Sequence, residues 1–393
     1  MADDQGDLTG LRLATATLAD WMTGAALPLW CGPGHAGPGR GFIDDFDRAG
    51  RPAPEPQTAI LVQARQIYVY SHAALLGWPH GLTAAGDALR MVQDHGWAPG
   101  GGWVRSIGRA GGVVDPTVDL YDNAFMLLTL AWFARATGEA TAIGWAHRTL
   151  DAIEARMRLG NTPGFANTWP EEPGPRLQNP HMHLLEAMLA LHEATGEARF
   201  GTAARALVAL FQERLFDPAT GTLAEYFGPA WQRLPEAYPG RVTWPGHHFE
   251  WVWLLYQAQA RLGIETRAEA MALQGFAERH GMDADTGLVR YAVTEQGVPL
   301  DRSIRLWPQT EALKAALMML EHEGQGAAAA TRILHNLLRL HLDHAPRGTW
   351  TETYDGAGKP VIGRIASTSL YHILVAYAEL VRVTGRSGAA TSP

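Results

Sequence analysis

Ala136-Thr137-Gly138-Glu139 and Ala194-Thr195-Gly196-Glu197 are the same tetrapeptide, 58 positions apart. Each follows a long apolar run, and glycine at such a place is the usual left-handed terminator of a helix. Comparable glycines stand at Gly77, Gly263, Gly324 and Gly385, so that successive gaps are 61, 58, 67, 61 and 61 residues. A period near 60 residues, with two helices in each unit, marks a helical array. The pattern predicts twelve helices, at 8–30, 56–76, 82–95, 119–137, 140–158, 181–195, 198–214, 248–262, 264–280, 308–323, 327–343 and 367–384. In the helix at 140–158, Ile143, Ala146, Leu150, Ile153 and Met157 recur at steps of three and four and form one stripe. The helix before each glycine is different. Phe125-Met126-Leu127-Leu128-Thr129-Leu130-Ala131-Trp132-Phe133 and Trp251-Val252-Trp253-Leu254-Leu255-Tyr256 are apolar almost all round. Such a helix needs neighbours on every side. Six enclosed helices inside six amphipathic ones make an all-α toroid, an (α/α)6 barrel, because an open stack would carry distinct capping units. Strands are expected only as short loop hairpins, at 223–227 and 288–293.

The chain has 393 residues, 47% of them hydrophobic. The toroid is expected to take 1–393 as a single domain, with short flexible tails at about 1–7 and 386–393. A net charge of -8 and a pI near 6.0 argue against a nucleic-acid or anionic-membrane partner. Cys31 is the sole cysteine, which excludes an internal disulfide. The N-terminus is acidic and lacks a signal-peptide pattern, and no apolar run reaches the ~18 residues of a membrane span. A cytoplasmic monomer or homodimer is expected.

Within each unit the turn after the glycine is short, whereas the connection into the next inner helix is long and rich in Gly, Pro and Trp. Long loops therefore gather at one face, around the inner-helix N-termini, where function tends to sit. Counting back thirteen residues from the closing glycines lands on His183, Glu250, Glu311 and His372. The first two units place Arg65 and Tyr121 within a turn of the same height. In Trp244-Pro245-Gly246-His247-His248-Phe249-Glu250-Trp251, His247 and Glu250 are three apart and share a helical turn. This spacing suggests that Glu250 orients His247. The candidate ring is Arg65, Tyr121, Asn179, His181, His183, His247, His248, Glu250, Trp307, Gln309, Glu311, Tyr371 and His372. Helix N-termini aimed into it would favour a developing oxyanion.

A metal site is the first rival, since the histidines and glutamates supply enough ligands. No His-Glu-x-x-His or cysteine cluster is present, and no metal or cofactor is expected. Glycoside hydrolysis by Glu250 and Glu311 is the second, but imidazoles outnumber carboxylates in the ring. A sugar-binding or protein-binding module is the third.

Tyr121-Asp122-Asn123-Ala124-Phe125, Asn179-Pro180-His181-Met182-His183-Leu184-Leu185-Glu186-Ala187, Pro245-Gly246-His247-His248-Phe249-Glu250-Trp251, Arg305-Leu306-Trp307-Pro308-Gln309-Thr310-Glu311 and Ser367 to His372 resemble, in order, the motifs of the N-acylglucosamine 2-epimerase superfamily. The resemblance runs from about Arg65 to Leu380. It implies an (α/α)6 barrel, metal-free proton transfer, catalytic histidines at His247 and His372, and sugar contacts from Arg65 and His183. The Asn-Pro-His-Met-His run is more similar to mannose isomerases than to disaccharide epimerases. The expectation is interconversion of D-mannose and D-fructose through a cis-enediol, a monosaccharide being the sole partner. Tyr121, Asn179, Glu250, Trp307 and Glu311 are expected to line the sugar. A 2-epimerase, or an isomerase of a phosphorylated hexose such as mannose 6-phosphate, is the alternative, with Arg302, Arg305 and Arg364 on loops of the same face.

Overall fold

The computed structural model describes residues 2–53, 55–235 and 241–389. Among the described residues thirteen α-helices follow one another: α1 (Ala2–Trp21), α2 (Leu27–Cys31), α3 (Ile60–Leu75), α4 (Leu82–His95), α5 (Leu120–Thr137), α6 (Ala140–Arg156), α7 (Gln178–Thr195), α8 (Ala198–Leu210), α9 (Pro245–Leu262), α10 (Arg267–Phe276), α11 (Leu306–Glu323), α12 (Ala327–Asn336) and α13 (Ser369–Ala389). The odd-numbered helices from α3 to α13 form the inner ring, each packed on the next, and α13 closes on α3. The even-numbered ones from α4 to α12 back them, and α1 fills the sixth outer place against α12 and α13. The architecture is the expected (α/α)6 barrel.

Local chemistry explains the boundaries. Gly138, Gly196, Gly263 and Gly324 each end an inner helix in the left-handed region, with φ between 66° and 76°. Asp119 caps the start of α5 by accepting the Tyr121 N–H at 2.8 Å. Gly385 departs from the pattern, because α13 runs through it to Ala389. At the other end α1 is helical from Ala2, where the sequence suggests a tail. Residues 390–393 lie outside the described residues.

The β-structure exceeds the expectation. Each inner helix is entered from a short strand, and that strand pairs antiparallel with the loop leading to the neighbouring inner helix. Gln57–Ala59 pairs with Val104–Gly108, Val113–Asp119 with Thr168–Trp169, and Arg176–Leu177 with Tyr226–Phe227. Val242–Thr243 pairs with Ala292–Thr294, Ile304–Arg305 with Thr353–Tyr354, and Ile365–Ala366 with Asp45–Phe46. The last pair joins the end of the chain to its beginning. The mouth of the barrel is thus stitched into a closed collar that fixes where the inner helices start.

A second repeat secures the collar. Gln63 bonds both backbone groups of Phe42, Asn123 those of Trp103, and Gln309 those of Val289. His181 accepts the Phe165 N–H at 3.0 Å and its Nδ1 donates to the Leu177 carbonyl. His248 accepts the Leu223 N–H and its Nδ1 donates to the Trp244 carbonyl. His181, His248 and Gln309 therefore serve as loop clamps, and this corrects their place in the candidate ring. Both ring nitrogens of each clamp histidine are spent on backbone groups.

These clamps carry a pH prediction. Burial pushes His181, His248 and His341 down to about 4 and His72 to about 3. An unfolded chain takes up those protons near pH 6.5, while the folded chain refuses them. Stability is therefore full above 6.5 and is lost as pH falls from there toward 4, at about 1.4 kcal/mol per pH unit for each histidine. The urea midpoint should drop steeply between pH 6.5 and 4.5. A flat midpoint over that range would contradict the assignment.

Candidate active site

Three imidazoles at the mouth share one wiring. His247 Nδ1 lies 2.8 Å from Glu225 Oε2, His372 Nδ1 lies 2.9 Å from Glu311 Oε1, and His183 Nδ1 lies 3.0 Å from Glu186 Oε2. An ionised carboxylate only accepts, so each Nδ1 carries the proton and each Nε2 keeps its lone pair; the Gln178 amide nitrogen, also 2.8 Å from His247 Nδ1, spends its N–H on Glu225 instead. The three histidines and their carboxylates are all buried. Burial lowers His183 and pushes His372 down to about 4, despite the opposing pull of their glutamates. His372 is consequently a neutral, oriented base at neutral pH.

His247 is held by Glu225, not by Glu250, which overturns the expected pairing. A helical step of three residues is about 300°, so the two side chains diverge by about 60°. His247 turns to the strand-bearing loop, where Glu225 also accepts from the Gln178 amide at 2.9 Å and the Trp244 N–H at 3.1 Å. Glu250 turns to the preceding inner helix, and its Oε1 lies 3.8 Å from His183 Nε2. Glu225 was not legible because it sits on a loop outside the thirteen-residue register. Glu186 was within reach of the same reasoning, since it stands three residues after His183.

Beneath the histidines lies a buried charge group. Lys314 Nζ touches Glu311 Oε2 at 2.5 Å, as an ion pair out of hydrogen-bond alignment, and rests 4.1 Å over the Trp253 ring. Lys314 and His372 hold Glu311 below the usual carboxylate range against the effect of burial. Glu250 has no such partner. Burial, helped by the Glu311 charge, raises its carboxyl well above the usual range, and its Oε1 makes no hydrogen bond. Burial thus favours the protonated form of Glu250, beside His183. The ligand atoms of His183, Glu186 and Glu250 lie within 4.8 Å of one another. With burial favouring the neutral form of one carboxyl and the cations Lys314 and Arg65 acting on the group, these donors suit proton traffic better than a divalent cation.

The remaining expected residues surround this group. Arg65 donates to the Tyr121 hydroxyl at 2.6 Å and to the Thr368 carbonyl at 3.3 Å, and its guanidinium lies 4.3 Å over the Phe125 ring. The Tyr121 ring lies 5.1 Å from His183. Tyr371 donates to Glu186 at 2.6 Å. Trp307 stands between two of these imidazoles, 4.9 Å from His247 and 5.9 Å from His372. Glycine at 246 permits this, because a Cβ there would meet the indole at 2.5 Å. Asn179 is half-buried, with its Oδ1 shielded and without a partner. Arg364 is drawn away to Glu55. A cavity of about 470 Å³ opens at the opposite end of the barrel and reaches Glu186 from behind.

Histidines that are carboxylate-held and gathered at the mouth of a closed helical ring fit an α/α-barrel enzyme of the sugar isomerase and epimerase class. The chain belongs to the N-acylglucosamine 2-epimerase family, whose model matches residues 41–376. It is 33% identical to the mannose-6-phosphate isomerase of Rhizobium meliloti (strain 1021), over 94% of this chain and 97% of that one. It is 30% identical to the D-mannose isomerase of Thermobifida fusca, over 71% of this chain and 72% of that one. The structure of cellobiose 2-epimerase from Spirochaeta thermophila DSM 6192 superposes with a TM-score of 0.84 at 24% identity, covering 96% of this chain and 98% of that one.

Proposed function

We propose that the protein is an aldose–ketose isomerase that interconverts mannose-configured and fructose-configured hexoses through a cis-enediol. The observation that carries this reading is the pair of carboxylate-held imidazoles, His247 and His372, on either side of the Trp307 indole. Trp307 stacks on the sugar's C–H face. With the ring opened, His372 Nε2 removes the proton from C2, and the electron pair forms the C1–C2 double bond as O1 takes charge. Arg65 stabilises that oxygen, and the Glu250 carboxyl, whose protonated form burial favours, supplies a proton to it. His247 moves protons among the oxygens during ring opening and enediol rearrangement. Return of the proton from His372 to C1 gives the ketose, whereas delivery of a proton to C2 from the other face, by His247 acting as a second carbon acid, would give the epimer. A positioned base of this kind contributes roughly 10²–10⁴-fold. The mannose specificity named for the 33% and 30% identical relatives supports the hexose. The first of them is named for a phosphate ester, which keeps a phosphorylated hexose as the second reading.

Incubation with D-mannose or D-mannose 6-phosphate in D2O, followed by NMR, tests the reading. Ketose with deuterium at C1 is expected. Glucose-configured product alone would make the protein an epimerase, and absence of both exchange and product would reject the enediol.

A further inference from the structure

Arg305 lies on the strand that enters α11, two residues before Trp307. Its guanidinium lies 3.5 Å over the face of the Tyr291 ring. Tyr291 in turn lies 4.9 Å from Trp244 and 6.5 Å from Trp307, the two indoles that flank His247 at 4.9 Å each. One aromatic ring thus separates this cation from the wall of the proposed reaction site. Arg305 is half-buried, its Nε is shielded from solvent without a partner, and it forms no ion pair or side-chain hydrogen bond among the described residues. Other arginines of the same face are neutralised: Arg105 by Asp119, Arg176 by Glu171, Arg233 by Glu295 and Arg364 by Glu55. Arg302, three residues earlier, is exposed.

A partly desolvated guanidinium without a counter-charge is unfavourable in the empty protein. Its planar fork matches a phosphate bidentately, and stacking on the Tyr291 face restrains it. We propose that Arg305 docks a phosphate ester at the end of the sugar remote from C1 and C2, so that the natural substrate is a phosphorylated hexose. This rests on the isomerase reading above and makes Arg305 a specificity-determining residue. Tyr291 acts through it as a positioning residue.

The test compares kcat/KM for D-mannose 6-phosphate and D-mannose in the full-length protein and in Arg305→Met and Arg305→Lys. The wild type should favour the phosphate ester by about 100-fold or more. Arg305→Met should lower that ratio by about 100-fold, with the loss in KM, and Arg305→Lys should restore part of it. A wild-type ratio near one, or an equal loss for both sugars in Arg305→Met, overturns the proposal. If neither sugar is converted, the isomerase reading has failed separately. Calorimetric titration with D-mannose 6-phosphate then decides the subsite: binding that Arg305→Met abolishes supports it, and no binding by the wild type rejects it.

Discussion

Replacing His372 by asparagine should abolish turnover by about ten-thousand-fold while leaving the barrel folded. Asparagine is the informative choice because its amide N–H can still donate to Glu311, which His372 Nδ1 approaches at 2.9 Å. Glu311 remains paired with Lys314, so the buried charge group beneath the site is undisturbed. What disappears is the lone pair on Nε2. A loss confined to kcat, with a thermal midpoint within a few degrees of the wild type, identifies a missing base and not a collapsed network. The pH profile supplies a second readout. Burial pushes His372 down to about 4, so the acid limb of wild-type kcat/KM should lie well below the ordinary histidine value of 6.5. Sign and cause agree: a depressed value keeps the imidazole neutral, and therefore basic, as the medium acidifies. Residual turnover above a tenth of the wild type in the asparagine variant would remove His372 from this role.

The helical frame was legible because long apolar periodicity and left-handed glycines repeat at nearly constant spacing. Helix α4 falls on its predicted bounds of 82–95, and α7 and α9 begin three residues early, at Gln178 and Pro245. The collar was not legible. Most of its strands are two or three residues long, too short for a period-two pattern to register. The thirteen-residue register placed His183, Glu250, Glu311 and His372 at one height, but height is not pairing. Which carboxylate meets which imidazole depends on side-chain direction and on loops. Glu311 reaches His372 on the next inner helix, whereas Glu225 reaches His247 from a loop between strands. Lys314 looks like an ordinary helix surface cation in sequence and is in fact fully enclosed. His181 and His248 illustrate the opposite failure. Their residue type suggested chemistry, yet they occupy the clamp position held in other units by Gln63, Asn123 and Gln309.

Exchange of Glu225 for glutamine should cost about 10²- to 10³-fold in kcat, although the two side chains are nearly equal in volume. Three donors converge on this carboxylate: His247 Nδ1 at 2.8 Å, the Gln178 amide at 2.9 Å and the Trp244 N–H at 3.1 Å. Gln178 cannot turn over to compensate, because Trp251 Nε1 donates to its Oε1 at 2.8 Å. A glutamine at 225 must therefore aim its own NH2 at one of these donors. Facing Trp244, it leaves two N–H groups opposed and costs about 1–3 kcal/mol of stability. Facing His247, it donates to Nδ1, drives the ring proton to Nε2 and turns the lone pair away from the sugar. The second outcome also sets the new amide against the Gln178 amide, but Gln178 lies 2.8 Å from His247 Nδ1 and can donate there once the imidazole changes tautomer, so this outcome is the cheaper one and silences His247 as a proton acceptor. Nitrogen-15 NMR of the histidines should show the His247 proton on Nδ1 in the wild type and on Nε2 in Glu225→Gln, with a near-normal melting temperature. Turnover within fivefold of the wild type, or an unchanged tautomer, would mean that Glu225 supports the fold without governing the chemistry.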